Sequence, residues 1–169
     1  MAVVTTKTTR ISNAESVVQT LDSVGVNHGR LRRVVATVEA VSGDSIGSKY
    51  IFFRVHSSWT VASLRLFCDA ITTCAGDIGL YQTNANPNNG GAVVSATTYG
   101  SAVSLATAIT TGTEVAYEAR DIVNCQRQVW QDAGVTADPN RWYEVAITLT
   151  AAAGSAGSIT LEGWYVGND

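Results

Sequence analysis

The chain has 169 residues, enough for one domain with a substantial core, and only 15% of them are charged. Its formal net charge of -3 argues against nucleic acid as the main partner, because phosphate binding requires a clustered positive field. No apolar run approaches the roughly 20 residues of a membrane span. The first residues, MAVVTTKTTRISNAE, lack the apolar core of a secretory signal. We therefore expect no nucleic-acid partner, no membrane partner and synthesis in a reducing cytoplasm.

β-Branched residues dominate the composition: Val, Thr and Ile make up 50 of the 169 residues. These side chains pack well on pleated, half-buried surfaces. Fifteen glycines supply turns, whereas two prolines are too few for a disordered linker. The composition predicts an all-β protein. Together with the strand and helix patterns along the chain, it predicts an antiparallel two-sheet β-sandwich of jelly-roll type, with one short helix near residues 121–133.

Residues 1–30 differ from the rest, because they contain no aromatic residue and show weak periodicity. We interpret them as an N-terminal arm, or alternatively as a first strand, ahead of a sandwich domain over residues 31–169. An arm would lie along a neighbouring molecule or along its own sheet edge. Its candidate interface residues are Ala2, Val3, Val4, Thr5 and Thr6.

Strand patterns begin at residue 31, and the first strand ends at a Ser-Gly-Asp turn at residues 42–44. Residues 49–56 alternate, which predicts one face with Ile51, Phe53 and Val55 and an opposite face with Tyr50, Phe52 and Arg54. Residues 61–71 alternate as well. Their predicted apolar face holds Ala62, Leu64, Leu66, Cys68 and Ala70.

The middle of the chain is less regular. Residues 78–82 predict a strand, and residues 84–91, with four Asn, one Pro and two Gly, predict an exposed loop. This loop supplies three further candidate contact residues, Asn86, Asn88 and Asn89. Residues 99–109 are compatible with a strand or a short helix, and residues 114–118 predict a strand.

Residues 121–133 carry apolar side chains at helical spacing, with Asp121 as N-cap and Gly134 as C-terminal signal. The predicted buried stripe is Ile122, Cys125, Val129, Trp130 and Ala133. Residues 142–150 and 157–166 then predict two long strands joined by a hairpin loop, AAAGSAG.

Catalytic chemistry finds little support in the sequence. His28 and His56 have no nucleophile motif beside them, and the three cysteines lack metal-ligand spacing. We interpret Cys68 and Cys125 as small buried hydrophobes. A solvated sheet face accounts for the strand carboxylates Glu39, Asp69, Asp77, Glu144 and Glu162. We therefore predict no catalytic residue, no cofactor, no metal and no enzymatic activity.

Aromatic and basic residues are the better candidates for contact with a partner. Trp59 and Trp142 stand at predicted strand starts and suit exposed contacts, whereas Trp130 and Trp164 suit core packing. Arg30, Arg32 and Arg33 form the one basic cluster. They suit either a solvated strand end or pairing with a partner's carboxylates.

Several segments of the sequence resemble those of known virion proteins: VVATVEAVSGDSIGSKYIFFRV, LRLFCDAITTCAGDIGLYQT, GGAVV, SAVSLATA and WYEVAITLTAAAGSAGSITLEGWYV. Together they cover residues 34–166 and resemble the small jelly-roll cement or decoration proteins of tailed-phage capsids. The resemblance implies a virion location and binding to the major capsid protein at the outer shell surface, often as a homo-oligomer. Alternatives are a head-fibre, tail or adsorption component of the virion, or a glycan-binding sandwich.

Overall fold

A computed structural model describes residues 29–83, 91–116, 120–121 and 123–167 of the chain. The candidate arm residues, Ala2 to Thr6, and the loop residues Asn86, Asn88 and Asn89 lie outside these ranges. Eight strands are described. They are β1 (Arg30–Ala40), β2 (Lys49–His56), β3 (Thr60–Cys68), β4 (Ala75–Gln82), β5 (Val93–Ser104), β6 (Ile109–Glu114), β7 (Trp142–Ala151) and β8 (Gly157–Gly167).

The strands form two four-stranded antiparallel sheets, one in the order β1-β8-β3-β6 and the other in the order β2-β7-β4-β5. The strands pair from the two ends of the chain inward: β1 with β8, β2 with β7, β3 with β6, and β4 with β5. Pairings of β3 with β8 and of β4 with β7 complete the sheets. This is one long hairpin rolled up into a jelly roll. The predicted fold class is confirmed.

The core lies between the two sheets and is built from the inward positions of every long strand. Leu64 and Leu66 of β3 in one sheet and Val145 and Ile147 of β7 in the other are all buried in this core. Burial of one face and exposure of the other is the physical reason for the alternation in the sequence. The result is a continuous hydrophobic cluster along the sandwich.

The predicted faces of β2 are wrong in the first half of the strand. Its pairing with β7 shifts register between Ile51 and Phe53, where a β-bulge places the extra residue Phe52. The bulge reverses the alternation, so that Tyr50 is buried with Phe53 and Val55, whereas Ile51 is 37% exposed.

The predicted apolar face of β3 is wrong at the start of the strand, where there is a second bulge. The pairing of β3 with β8 shifts between Val61 and Ser63, so that Val61 is buried and Ala62 is exposed. Leu64, Leu66 and Cys68 face the core as predicted. Ala70 is exposed because the strand has already ended at Cys68.

The strand expected over residues 114–118 instead ends at its first residue. Residues 99–104 belong to β5, and β6 covers Ile109–Glu114. The Glu114 carboxylate accepts hydrogen bonds from the backbone N–H groups of Leu64 (2.8 Å) and Ala116 (3.0 Å) and from the Ser63 hydroxyl. It thereby holds the end of β6 against the middle of β3.

The loop between β7 and β8 is not a hairpin, because the two strands lie in different sheets. The loop crosses the sandwich and bonds to neighbouring loops. Gly154 N–H donates to the Thr72 carbonyl at 2.8 Å, and Gly43 N–H donates to the Ala153 carbonyl at 2.7 Å. Sequence alternation identifies both strands but carries no information on which sheet each one joins.

The short helix predicted near residues 121–133 is present only at the end of that range, and buried Arg120 explains why it does not begin earlier. Its guanidinium donates to the carbonyls of Asn124, Cys125 and Arg127 at 2.9–3.2 Å, and to that of Val61 at 2.8 Å. A helix would need the first three carbonyls for its own hydrogen bonds. The segment therefore wraps around the guanidinium as a series of turns.

Only a short helix follows these turns, α1 (Val129–Asp132). Val129 is buried as predicted, but Cys125 is exposed because the helical stripe that would bury it does not form. Among the described residues, no helix has the length and apolar character to cross a membrane. Asp132, at the end of α1, lies 3.5 Å from Arg120, and both side chains are almost completely buried.

Because the Asp132 carboxyl is buried, we expect the stability of the folded protein to depend on pH. Burial raises its pKa from 3.8 to about 6, although Arg120, Tyr99 and Arg127 favour the charged form. The native state therefore holds this proton more tightly than the unfolded chain, and the stability it contributes disappears as the pH rises from about 4 to about 6. Relative to Asp132→Asn, we expect the free energy of unfolding of the wild type to fall by up to about 3 kcal/mol across this interval. Denaturant titrations of both proteins measure it, and a constant or growing difference would contradict the assignment.

Candidate interaction surface

One end of the sandwich collects several aromatic side chains. His56 ends β2, Trp59 precedes β3, and Trp142 begins β7. The Trp142 ring lies 5.2 Å, centroid to centroid, from both the Trp59 ring and the His56 ring, edge-on to each. Arg32 of β1 places its guanidinium carbon 5.0 Å from the centroid of the Trp59 ring. We call Arg32, His56, Trp59 and Trp142 the aromatic end.

The two tryptophans predicted as contact residues are thus brought together, but with different exposure. Trp142 is 45% exposed, whereas Trp59 is half-buried and packs against the core. The Trp59 backbone is fixed on both sides, because its N–H donates to the His56 carbonyl (3.1 Å) and its carbonyl accepts from Val129 N–H (2.8 Å). Trp142 therefore rests on a rigid support.

The other two tryptophans do not belong to the buried core, contrary to prediction. Trp130 is half-buried, and its indole N–H donates to the Gln128 side chain at 2.7 Å. Trp164 is half-buried on β8, with the Arg33 guanidinium carbon 5.4 Å from its ring centroid. Successive side chains of β8 point alternately outward and into the core, so that the neighbouring Tyr165, and not Trp164, is buried.

The basic cluster is divided by the geometry of β1. Successive residues of a strand point to opposite faces, so Arg32 reaches Trp59 while Arg33 reaches the other face. There the Nε of Arg33 pairs with the Glu162 carboxylate at 2.5 Å. Arg30, the first residue of β1, is exposed at the same end of the strand as Arg32.

Sequence reasoning missed Arg141, which adds a positive charge beside Trp142. Its backbone is bonded to Ser57, whose N–H donates to the Arg141 carbonyl (2.9 Å) and whose hydroxyl accepts from Arg141 N–H (3.1 Å). The nearby Asp138 carboxylate is occupied by the Ser57 hydroxyl (2.5 Å) and by Asn140 N–H (2.9 Å). The Asp-Pro-Asn turn directly before Arg-Trp was the available signal.

The remaining predicted interface segments are attached at this same end. Arg30 pairs with Gly167 at the end of β8, so residues 1–28 join the sandwich here. Gln82, the last residue of β4, pairs with Tyr143, so residues 84–90 follow from this end as well.

The opposite end is closed by hydrogen bonds between its loops. Ala153 N–H donates to the Asp44 carbonyl at 3.0 Å, and Thr72 N–H donates to the Ser155 hydroxyl at 3.0 Å. The Asp44 carboxylate accepts from the Tyr50 hydroxyl (2.6 Å) and from Val41 N–H (2.9 Å). The backbone groups of these loops are thus largely used within the chain.

The sequence suggested that the strand carboxylates lie on a solvated sheet face, but this is wrong for two of them. Glu144 and Glu162 are buried and pair with Arg54 (3.1 Å) and Arg33. Burial also raises the pKa of the Cys68 and Cys74 thiols, which lowers their reactivity at neutral pH. Within the described ranges, no three His, Cys, Asp or Glu side chains are grouped to hold a metal ion.

An open cleft of about 240 Å³ lies along β3, β6 and β8. Two of its polar groups are already bonded within the chain. The Asp69 carboxylate accepts from Ser158 N–H, and the Ser158 hydroxyl donates to Glu39, each at 2.9 Å. The cleft is lined by Phe67, Cys68, Asp69, Ile109, Thr110, Ser158 and Thr160.

Solved phage structures contain chains of similar fold. A chain in the Cyanophage Pam1 capsid asymmetric unit is similar to this one with a TM-score of 0.54 and 15% identity, over 82% of this chain and 85% of that one. The capsid of Ralstonia phage GP4 contains another, with a TM-score of 0.54 and 14% identity, over 82% of this chain and 84% of that one. The protein shares its fold with phage capsid chains.

No protein-family model and no curated protein matches the sequence. The likeness to the two phage chains therefore concerns the fold. It extends over most of both partners, so the whole sandwich is shared rather than one hairpin of it.

Proposed function

We propose that this chain is a virion structural protein without enzymatic activity, and that it acts as a cement or decoration protein on the outer surface of a phage capsid. Its partners would be the major capsid protein and further copies of itself. The observation that carries the proposal is the jelly roll shared with chains of two phage capsid structures over more than four fifths of their length.

The physical properties of the chain suit such a role. Internal pressure from packaged DNA pulls capsomers apart, and a rigid protein that bridges two of them opposes the separation. A docking interface of about 1,600 Å² is enough for stable, specific binding. Many copies on one lattice stabilise the shell together, so that each contact needs only modest affinity.

Particles that lack this protein test the cement role. We expect such particles to release their DNA at a lower temperature, or after a milder osmotic shock, than complete particles do. Adding back the purified protein should restore the resistance. Particles of unchanged stability, with the protein known to be missing, would contradict the cement role.

A second candidate is a receptor- or glycan-binding component of the virion, such as a head fibre, tail part or adsorption protein. The specific observation in its favour is the exposed, rigidly supported Trp142, since aromatic faces stack on sugar rings. Imaging of single particles separates the two roles, because cement is present in hundreds of copies around the shell and tail parts are few. Glycan binding that requires Trp142 would favour the second role.

Deletion of residues 2–9 tests the predicted arm. Because the described sandwich begins its pairing at Arg30, we expect the deleted protein to keep its melting temperature within a few degrees. We expect its incorporation into particles to decrease, since an arm can add a strand to a neighbour's sheet. Melting temperature and particle occupancy are measured on the same preparations. Loss of folding would instead place these residues in the core.

A further inference from the structure

We propose that the aromatic end is the docking surface of this protein, and that it fits a protein surface rich in carboxylates. This inference rests on the proposed function and adds to it the face that binds and the chemistry it recognises.

The charge distribution points to an acidic partner. The whole chain carries a formal net charge of -3, yet Arg30, Arg32 and Arg141 are all exposed around the aromatic end. Among the residues that the structure describes, no carboxylate forms a salt bridge with Arg30 or Arg141. The nearby Asp138 carboxylate is already held by the Ser57 hydroxyl. Guanidinium groups bind carboxylates in a paired, directional geometry, which favours this partner over a neutral one.

The aromatic side chains supply the apolar centre of such a surface. Trp and Arg are the residues most enriched among those that dominate binding energies. Trp142 is held edge-on by Trp59 and His56, so that little side-chain freedom remains to be lost on binding. Arg32, stacked over Trp59, extends the same surface toward β1.

The two ends of the sandwich differ in a way that favours this assignment. At the far end, the loops around Gly43, Thr72 and Ala153 bond to one another through their main chains. At the aromatic end, the sandwich presents exposed cations and an exposed indole. A partner seated at this end would contact the cations and the indole together.

Binding to particles that lack the protein tests the inference. Purified wild type and variants are added, and the bound fraction is measured by co-sedimentation between low and high salt. We expect Trp142→Ala to weaken binding on the order of thirtyfold, as for a central contact. We expect Arg141→Glu to weaken it by at least about tenfold at low salt, with a flatter salt dependence.

Two matched variants control for unrelated effects. Lys49→Glu makes the same charge change at the start of β2, at the closed end of the sandwich. Ile46→Ala shortens another exposed apolar side chain, in the loop between β1 and β2. Both should bind within about twofold of the wild type, as distant surface changes do. All variants are first checked for an unchanged melting transition.

The outcomes separate this inference from the proposed function. Wild type that fails to bind any particle contradicts the proposed function and this inference with it. Wild type that binds while Trp142→Ala and Arg141→Glu bind equally well contradicts this inference alone. Binding that free sugars abolish, or a dimer of the isolated protein that Trp142→Ala dissociates, would assign the surface to a glycan or to a second copy, and would also overturn it.

Discussion

Replacement of Arg120 by Leu should cost about 3–5 kcal/mol of stability, the amount lost when one partner of a buried ion pair is removed. The Arg120 side chain is 2% exposed and that of Asp132 is 3% exposed, so the carboxylate would remain buried without its partner. Four backbone carbonyls would also lose their donor. Leu fills part of the space but replaces none of these bonds. Denaturant unfolding at neutral pH measures the loss.

Arg65→Leu is the matched control for Arg120→Leu. Arg65 lies on the outer face of β3, stacks on Phe67 and donates one hydrogen bond, to the Thr111 carbonyl at 2.8 Å. Its replacement should cost less than about 1 kcal/mol, as expected of a solvated contact. If the two variants lost similar stability, Arg120 would not be the organising contact of residues 120–132.

Leu66→Ala is expected to cost about 2–5 kcal/mol, because it removes a buried branched side chain and leaves a cavity. Leu66 is 0% exposed and sits in the middle of β3, which pairs with β8 on one side and with β6 on the other. The neighbouring strands hold the backbone in place, so the surroundings are unable to collapse into the space. Thermal and denaturant unfolding report the change.

Ile46→Ala provides the comparison for Leu66→Ala, since Ile46 is 69% exposed. It should change the free energy of unfolding by no more than about 0.5 kcal/mol. A small loss in Leu66→Ala, close to that of the exposed site, would mean that the two sheets do not enclose a tightly packed core.

Much of the fold was predictable because burial of one sheet face imposes a period of two on the sequence. The strands β1, β2, β3, β4, β7 and β8 follow from that period alone. The bulges at Phe52 and Ala62 could not be predicted in this way. An inserted residue leaves composition and average hydropathy unchanged, although it reverses which side chains of the strand face the core. Sheet membership was equally hidden, as the separation of β7 from β8 shows.

Residues 121–133 show how a single side chain overrides a local pattern. Apolar residues recur there at helical spacing, but spacing describes only what the segment itself favours. The Asp121 carboxylate accepts from Val123 and Asn124 N–H at 2.9 Å, as the predicted N-cap would. The buried guanidinium of Arg120, however, takes the carbonyls that a helix would use. The Arg120 bonds are not visible in a hydrophobic pattern, because they depend on where the segment packs.

For the candidate interaction surface, the sequence indicated individual residues but not how they are arranged. Arg32, Trp59 and Trp142 were each singled out as contact residues, and they meet at one end of the sandwich. Their distance along the sequence concealed the meeting, which depends on the pairing of β1 with β8 and of β2 with β7. Arg141 was missed because the Asp-Pro-Asn signal directly before it indicates a turn but does not indicate which residues of the turn contact a partner.

Imaging of purified phage particles at a resolution that shows strands tests the central proposal most directly. We expect many copies of the sandwich on the outside of the shell, bridging neighbouring capsomers with the indole of Trp142 turned toward the shell. Particles that contain no copy of this chain, by imaging and by mass spectrometry of their proteins, would contradict it.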